Sequence, residues 1–169
     1  SSSRGLGDVY KRQKIYFMQG NRDFMISSIV CDKYGMELIE DPTLINLYNR
    51  RILLMHGDTL CVDDVKYQEF RKLVRDKSWQ KQMMEKSLKE RLVMADALRV
   101  KSMNETSNKD EFIMDVNEEE VKKCFIHSGA EIIIHGHTHR PMVHEVEIGK
   151  QKHKRVVLGD WDSKSHIII

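Results

Sequence analysis

Three short stretches of the sequence carry side chains that could bind a metal ion. They are Gly20-Asn21-Arg22-Asp23, His56-Gly57-Asp58 and Gly136-His137-Thr138-His139. Imidazole nitrogens with amide or carboxylate oxygens suit Mn, Zn and Fe ions, and the neighbouring glycines let the backbone turn tightly. Each stretch follows an apolar segment, so the three side-chain groups could meet at the ends of strands. The pattern favours a shared metal centre.

Each of these residues, taken alone, also has a purely structural interpretation. His56 could simply end a strand, and Asn21 could form an Asx-turn. The spacing of His137 and His139 leaves open whether they approach one ion or two. The metal interpretation therefore depends on the joint occurrence of the three stretches. The other histidines considered are interpreted as structural: His127, His135, His144 and His153.

Strands must position these stretches. Short apolar runs at residues 15–18, 51–55 and 131–134 are typical of buried strands, and each runs directly into one of the polar stretches. Residues 44–48 predict a further strand, joined to the second run at residues 49–50. After Pro141, alternating residues predict β segments at 143–148, 156–158 and 166–169, arranged as an antiparallel sheet.

Helices are predicted between these strands. Residues 24–34 have helical spacing and end at Gly35, which suits the left-handed position after a helix. Residues 63–100 contain no Pro or Gly and predict two helices broken near residues 77–78, followed by a loop at 102–109. Asn117 can cap a helix running to His127.

Composition excludes several classes of protein. The 169 residues are 40% hydrophobic with a net charge of +2, which suits one globular domain and does not demand nucleic acid as a partner. Three widely spaced cysteines suggest no disulfide framework. No apolar run approaches the roughly 20 residues of a membrane-spanning helix. Residues 1–13 have no apolar period and resemble a translated adaptor, so we leave them out of the expected domain.

In their order, the three stretches resemble the last three signature motifs of the calcineurin-like metallophosphoesterases. In that family, the asparagine and the histidine of the middle motif bind one ion. The two histidines of the last motif are divided between two ions. The resemblance implies that Asn21, His56, His137 and His139 are ligands of a centre holding two Mn²⁺ ions.

The resemblance narrows to one branch, the UDP-2,3-diacylglucosamine hydrolases. Many relatives have histidine where this chain has Arg22. Further matches lie at residues 20–24, 56–61, 63–64, 113–117, 135–141 and 156–159, so the likeness covers nearly everything from Lys14 onward. It implies hydrolysis of the pyrophosphate of UDP-2,3-diacylglucosamine by metal-activated water, giving UMP and 2,3-diacylglucosamine 1-phosphate for lipid A synthesis.

The same resemblance implies roles for individual residues. Arg22 and His137 would be catalytic. The residues implied in substrate binding are Asn21, Arg22, Asp64, Ser102, Thr106, Lys109 and His137. Arg22 suits a pyrophosphate as a planar donor, and Lys109 suits a phosphate as a point charge.

The implied fold is α/β: a β-sandwich flanked by helices, with a helical cap inserted at about residues 63–109 that would cover acyl chains. Residues 14–169 would form part of such a domain, without its first strands. The implied location is the cytoplasmic face of the bacterial inner membrane, held peripherally at the lipid surface. No nucleic acid and no protein partner is expected.

Two motifs of the family are missing from this sequence. An Asp-x-His motif and a Gly-Asp motif should precede Asn21, and Gly7-Asp8 lies too close to Asn21 to leave room for the intervening helix. We therefore expect an N-terminally truncated chain that is itself inactive. Two alternatives stay open: a metallophosphoesterase acting on another nucleotide or phosphodiester, and a non-catalytic scaffold of the same fold.

Overall fold

The computed structural model describes residues 13–107 and 115–160, with only the backbone given for residue 101 and residues 103–107. The strands are β1 (Ile15–Met18), β2 (Met36–Ile39), β3 (Thr43–Leu47), β4 (Arg50–Met55), β5 (Ile132–His135), β6 (Met142–Ile148) and β7 (Gln151–Val157). The helices are α1 (Ser28–Lys33), α2 (Val65–Arg75), α3 (Lys77–Glu85), α4 (Leu88–Ser107) and α5 (Glu118–Ser128), with a 3₁₀ turn at Asp58–Leu60.

The larger sheet has five strands in the order β3-β4-β5-β7-β6. Its three central strands, β4, β5 and β7, are parallel, and the outer strands β3 and β6 pair antiparallel with their neighbours. Met55 is in register with His135, and His135 with Val157. The carboxyl ends of the central strands therefore lie at one edge of the sheet, which brings the turns after β4 and β5 together.

The core lies between this sheet and α5. Its buried cluster comprises Leu53, Met55, Leu60, Val121, Phe125, Ala130 and Ile133. The side chain of Asn117 caps α5 by accepting hydrogen bonds from the backbone N–H groups of Glu119 and Glu120, and Gly129 ends the helix with φ +61°. The predicted cap at Asn117 is confirmed.

The first strand belongs to a separate two-stranded sheet. β1 pairs in parallel with β2, and α1 connects them. The sequence did not predict β2. The predicted helix at residues 24–34 was too long, because its first turn is taken by a loop in which Gln19 Nε2 donates to Ile26 O at 2.6 Å. β1 is less buried than expected, with Ile15 and Tyr16 about half exposed.

The helical insertion contains three helices rather than the two expected. Asp76 separates α2 from α3, and its side chain caps α3 by accepting from Trp79 N at 2.8 Å. Ser87 separates α3 from α4 through a capping box, in which Ser87 N donates to Glu90 Oε2 and Glu90 N to Ser87 Oγ. The loop predicted at residues 102–109 is wrong up to Ser107, because a polar segment without Gly or Pro continues α4.

The C-terminal β segments were placed only in part. β7 spans Gln151–Val157 instead of residues 156–158, and it forms a hairpin with β6 around Gly149. β7 also pairs in parallel with β5, so this region is not a purely antiparallel sheet. The segment predicted at residues 166–169 lies outside the described residues. The expected α/β class, with helices flanking a mixed sheet, is confirmed.

Candidate metal centre

His56 and His137 are neighbours in space. They follow β4 and β5 in parallel register, and the backbone N–H of Gly136 donates to His56 O at 3.0 Å. Their ring centroids lie 5.0 Å apart with an interplanar angle of 71°. His137 adopts a left-handed conformation at φ +65°, which turns the chain out of the strand direction. The structure thus brings two of the expected ligands together.

Both rings carry a nitrogen that suits a cation. His56 Nε2 and His137 Nδ1 are buried and have no hydrogen-bond partner among the described residues. Burial lowers the pKa of His56, and burial followed by repulsion from His56 lowers the pKa of His137 to about 4. Both imidazoles are therefore neutral near pH 7. An unsatisfied polar atom in a buried position is unfavourable unless a ligand fills it, and neutral imidazoles bind divalent metals.

The Asn21 loop reaches the same place. A Cβ atom at Gly20 would lie 3.1 Å from His56 Cε1, so the backbone before Asn21 packs directly on the His56 ring. The loop is closed by Asp23, whose carboxylate accepts from Gly20 N. Asn21 itself is half-buried, whereas Arg22 is exposed.

His139 lies at the rim. It sits at φ +53° in the turn after His137, and its Nδ1 is 3.2 Å from Asp160 Oδ2, with both side chains exposed. Within residues 13–107 and 115–160, no group of three or more His, Cys, Asp or Glu side chains is arranged to hold a metal ion. The described residues therefore supply a histidine pair beside an asparagine loop, and the ligand roles stay predictions.

Asp58, the last residue of the middle stretch, is a buried anion beside the histidine pair, and it was not among the ligands that the resemblance implied. Tyr67 donates its hydroxyl to Asp58 Oδ2 at 2.9 Å, and Arg71 Nε lies 2.9 Å from the same oxygen. Burial alone would raise the pKa of Asp58, but Arg71 and then His56 outweigh it and lower the pKa. Asp58 Oδ1 is buried without a partner among the described residues.

Asp41 supports the backbone of His56. Its Oδ1 accepts from His56 N at 3.0 Å, and its Oδ2 lies 3.7 Å from Arg71 Nη2. Burial raises the pKa of Asp41. Tyr67 and Arg71 are four residues apart on a predicted helix, so they share one face of it. That spacing was the sequence signal that could have pointed to the polar contacts around Asp58.

His135 keeps its structural interpretation. Arg155 Nη1 lies 3.0 Å from His135 Nε2, so that nitrogen accepts, because arginine can only donate. Nδ1 is then protonated and donates to Gly136 O at 2.9 Å. Burial lowers the pKa of His135 to about 4. This buried pair fixes the backbone just before His137.

The implied substrate residues are only partly placed. Asp64 is buried and caps α2, since its Oδ1 accepts from Tyr67 N at 3.1 Å. Ser102 is exposed on α4. Thr106 lies in α4 with its side chain undescribed, and Lys109 lies outside the described residues. Their roles in substrate binding stay predictions.

Comparison with known protein families identifies the family of this chain. The chain matches the family described as Calcineurin-like phosphoesterase over residues 4–141. It belongs to the calcineurin-like phosphoesterase family. The match agrees with the resemblance of its three motifs.

Three curated relatives of this chain carry the name UDP-2,3-diacylglucosamine hydrolase. The relative from Marinobacter nauticus is 47% identical over 148 residues, covering 88% of this chain and 61% of its own. The relative from Chromohalobacter salexigens is 43% identical over 148 residues, covering 88% and 60%. The relative from Yersinia pseudotuberculosis is 42% identical over 153 residues, covering 90% and 64%. The chain thus spans about three fifths of the length of these relatives.

Proposed function

We propose that the whole protein hydrolyses the pyrophosphate of UDP-2,3-diacylglucosamine, releasing UMP and 2,3-diacylglucosamine 1-phosphate in lipid A synthesis. The observation that carries this proposal is the identity of 42–47%, over about nine tenths of the chain, with relatives named for that substrate. The juxtaposition of His56 and His137 supports it, because a metal-assisted hydrolase needs ligands from separate loops to meet.

In this proposal His56, His137, His139 and Asn21 would hold two Mn²⁺ ions. Such ions, when bound, make water acidic enough to ionise near neutral pH and polarise phosphoryl oxygens. Arg22, exposed in the Asn21 loop, would donate to the pyrophosphate oxygens and offset charge that develops there.

The helical insertion would receive the acyl chains. Several of its apolar side chains are more than half exposed: Met84, Leu88, Leu92, Val93 and Val100. Interspersed lysines, among them Lys86 and Lys89, could approach anionic lipid headgroups, so we place the protein peripherally on the cytoplasmic face of the inner membrane. Within the described part of the chain, no helix is both long and apolar enough to cross a bilayer.

UMP release from UDP-2,3-diacylglucosamine with Mn²⁺ tests this proposal. The comparison is between the chain as it stands and a chimera that carries, ahead of Lys14, the corresponding N-terminal part of the Marinobacter nauticus relative. We expect activity in the chimera alone, because the Asp-x-His and Gly-Asp motifs would complete the metal shell. His137→Ala in the chimera should abolish activity, whereas His127→Ala, on the exposed end of α5, should not.

Substrate choice separates the alternatives. Rapid hydrolysis of UDP-glucose or a simple phosphodiester by the chimera, with none of the acylated substrate, would establish a different phosphoesterase. No hydrolysis of any of them, with Mn²⁺ bound, would establish a non-catalytic scaffold. Lys109→Ala should weaken use of the acylated substrate, and unchanged kinetics would remove Lys109 from the binding site.

A further inference from the structure

We infer that Arg75, at the end of α2, is a positioning residue that holds the Asn21 loop against the turn containing His56. The inference deepens the proposed metal centre and rests on it for its functional meaning. The contacts that support the positioning role all lie within the protein.

Arg75 binds three oxygens of the segment that enters the loop. Its Nη1 donates to Gln19 Oε1 at 3.0 Å, and its Nη2 donates to Gln19 O and Gly20 O, both at 3.1 Å. A planar guanidinium with fixed donor directions can satisfy all three only if the backbone before Asn21 keeps one conformation. Arg75 therefore fixes the direction in which the chain leaves β1 toward Asn21.

The same helix is fixed to the other loop through Arg71. Arg71 lies one turn earlier on α2, between the carboxylates of Asp58 and Asp41. Gln68 adds two hydrogen bonds from Nε2, to Asp58 O at 2.7 Å and to Cys61 O at 3.0 Å. One polar face of α2 thus holds the turn after β4 while Arg75 holds the loop after β1.

This helix matters because no backbone ladder joins the two loops. β1 pairs with β2, and β4 belongs to the five-stranded sheet, so among the described strands the two sheets are not hydrogen-bonded to each other. α3 reinforces the contact with the loop, since the rings of Phe24 and Trp79 lie 6.2 Å apart. The alignment of Asn21 with His56 therefore depends on contacts outside the strand ladders, and Arg75 contributes three hydrogen bonds to the loop side.

A simpler role for Arg75 is a favourable charge in the last turn of α2, where the helix dipole attracts cations. Lys72 shares that turn and is exposed, which makes Lys72→Met a matched control for Arg75→Met. If charge at the helix end is all that matters, the two variants should behave alike. If Arg75 positions the loop, only Arg75→Met should alter it.

The first measurement is amide hydrogen exchange by NMR on this chain without metal. Gly20 N–H and Ile26 N–H are bonded within the loop, to Asp23 Oδ1 and Asp23 O, and Gly136 N–H reports on the His56 turn. In Arg75→Met the exchange of the two loop amides should rise about tenfold more than that of Gly136, because the lost hydrogen bonds are local to the loop. Arg75→Lys should restore part of the protection. Equal exchange in Arg75→Met and Lys72→Met would overturn the inference.

The second measurement is a Mn²⁺ titration of the chimera with the relative's N-terminal part, monitored by paramagnetic broadening of the His56 and His137 ring protons. Arg75→Met should require about tenfold more Mn²⁺ than Lys72→Met, because residues that orient ligands typically contribute that much to affinity. If Mn²⁺ broadens neither ring in the chimera, the proposed metal centre fails, and the exchange measurement still decides the role of Arg75. If Arg75→Met does not fold, Gln19→Leu removes one acceptor of Arg75 instead. Unchanged exchange of the Gly20 amide in that variant would count against the positioning role of Arg75.

Discussion

The rings of His56 and His137 meet edge to face at 5.0 Å, although α2, α3, α4, α5 and β5 all lie between them in the chain. The parallel register of β4 and β5 accounts for this proximity, because it sets the ends of both strands at the same level. Each ring keeps a buried nitrogen without a partner among the described residues.

Removing His137 should affect metal binding far more than folding. In His137→Ala the Mn²⁺ response of the His56 ring should weaken by at least about tenfold, because one ligand is gone. Without metal, the free energy of unfolding should fall little, since a buried polar atom without a partner contributes no stability of its own. NMR titration and urea unfolding measure the two effects. His127→Ala is the control, and equal Mn²⁺ affinity in both variants would contradict the metal assignment.

Gly57 should tolerate no side chain. Its φ is +108°, and a Cβ atom would lie 2.7 Å from His135 Nδ1. Gly149 has φ +61° with nothing within 4 Å of an added Cβ, so Gly149→Ala isolates the backbone cost of about 1–2 kcal/mol. Gly57→Ala should lose about 1–3 kcal/mol more, from the clash with a packed ring. Urea unfolding compares them, and similar losses would mean that His135 yields.

Asn117 should contribute through its cap. Its Oδ1 accepts from Glu119 N at 3.0 Å and from Glu120 N at 3.3 Å. Asn117→Ala should lower the free energy of unfolding by about 1 kcal/mol, and Asn117→Ser should retain most of it, because serine also caps helices. The difference should appear in the urea midpoint. A serine variant as weak as the alanine variant would instead assign the loss to the Asn117 Nδ2 bond with Asp63, which is 3.0 Å long.

Cys61 should be unreactive in the folded chain. Burial, followed by the charge of Asp115, raises its pKa to about 12, and the thiol lies 3.9 Å from Gly57 O. Because only the thiolate reacts, alkylation of Cys61 should keep accelerating up to about pH 11, whereas an unperturbed thiol levels off above about pH 9. Peptide mapping after iodoacetamide treatment measures this. Cys124, which is less buried, should be modified first, and concentrated urea should remove the difference.

The sequence predicted the strands and turns of the site because their signals are local. Apolar runs ending at His56 and before His137 define strands whose ends carry the expected ligands. β2 was missed because a strand of only four residues is too short to show an alternation of apolar and polar side chains. The loop predicted at residues 102–109 failed because polar composition does not stop a helix that lacks Gly and Pro.

The supports of the site were not predictable in the same way. Asp41 serves His56 only because the β3-β4 hairpin folds it back beside that turn. In the sequence, Arg75 is not distinguishable from the other basic residues of a charged helix. Its three acceptors lie 55 and 56 positions away in the chain, and no local pattern records such a pairing.

Since β1 and β4 belong to different sheets, no strand pairing among the described residues joins the loops that carry Asn21 and His56. An ion that bridges Asn21 and His56 would therefore tie one sheet to the other. If binding of that ion favours the aligned arrangement of the two sheets, then by thermodynamic reciprocity a change that favours this arrangement raises the affinity for the ion. Amide protection in β2, which holds none of the expected ligands, would then serve as a distant gauge of occupancy.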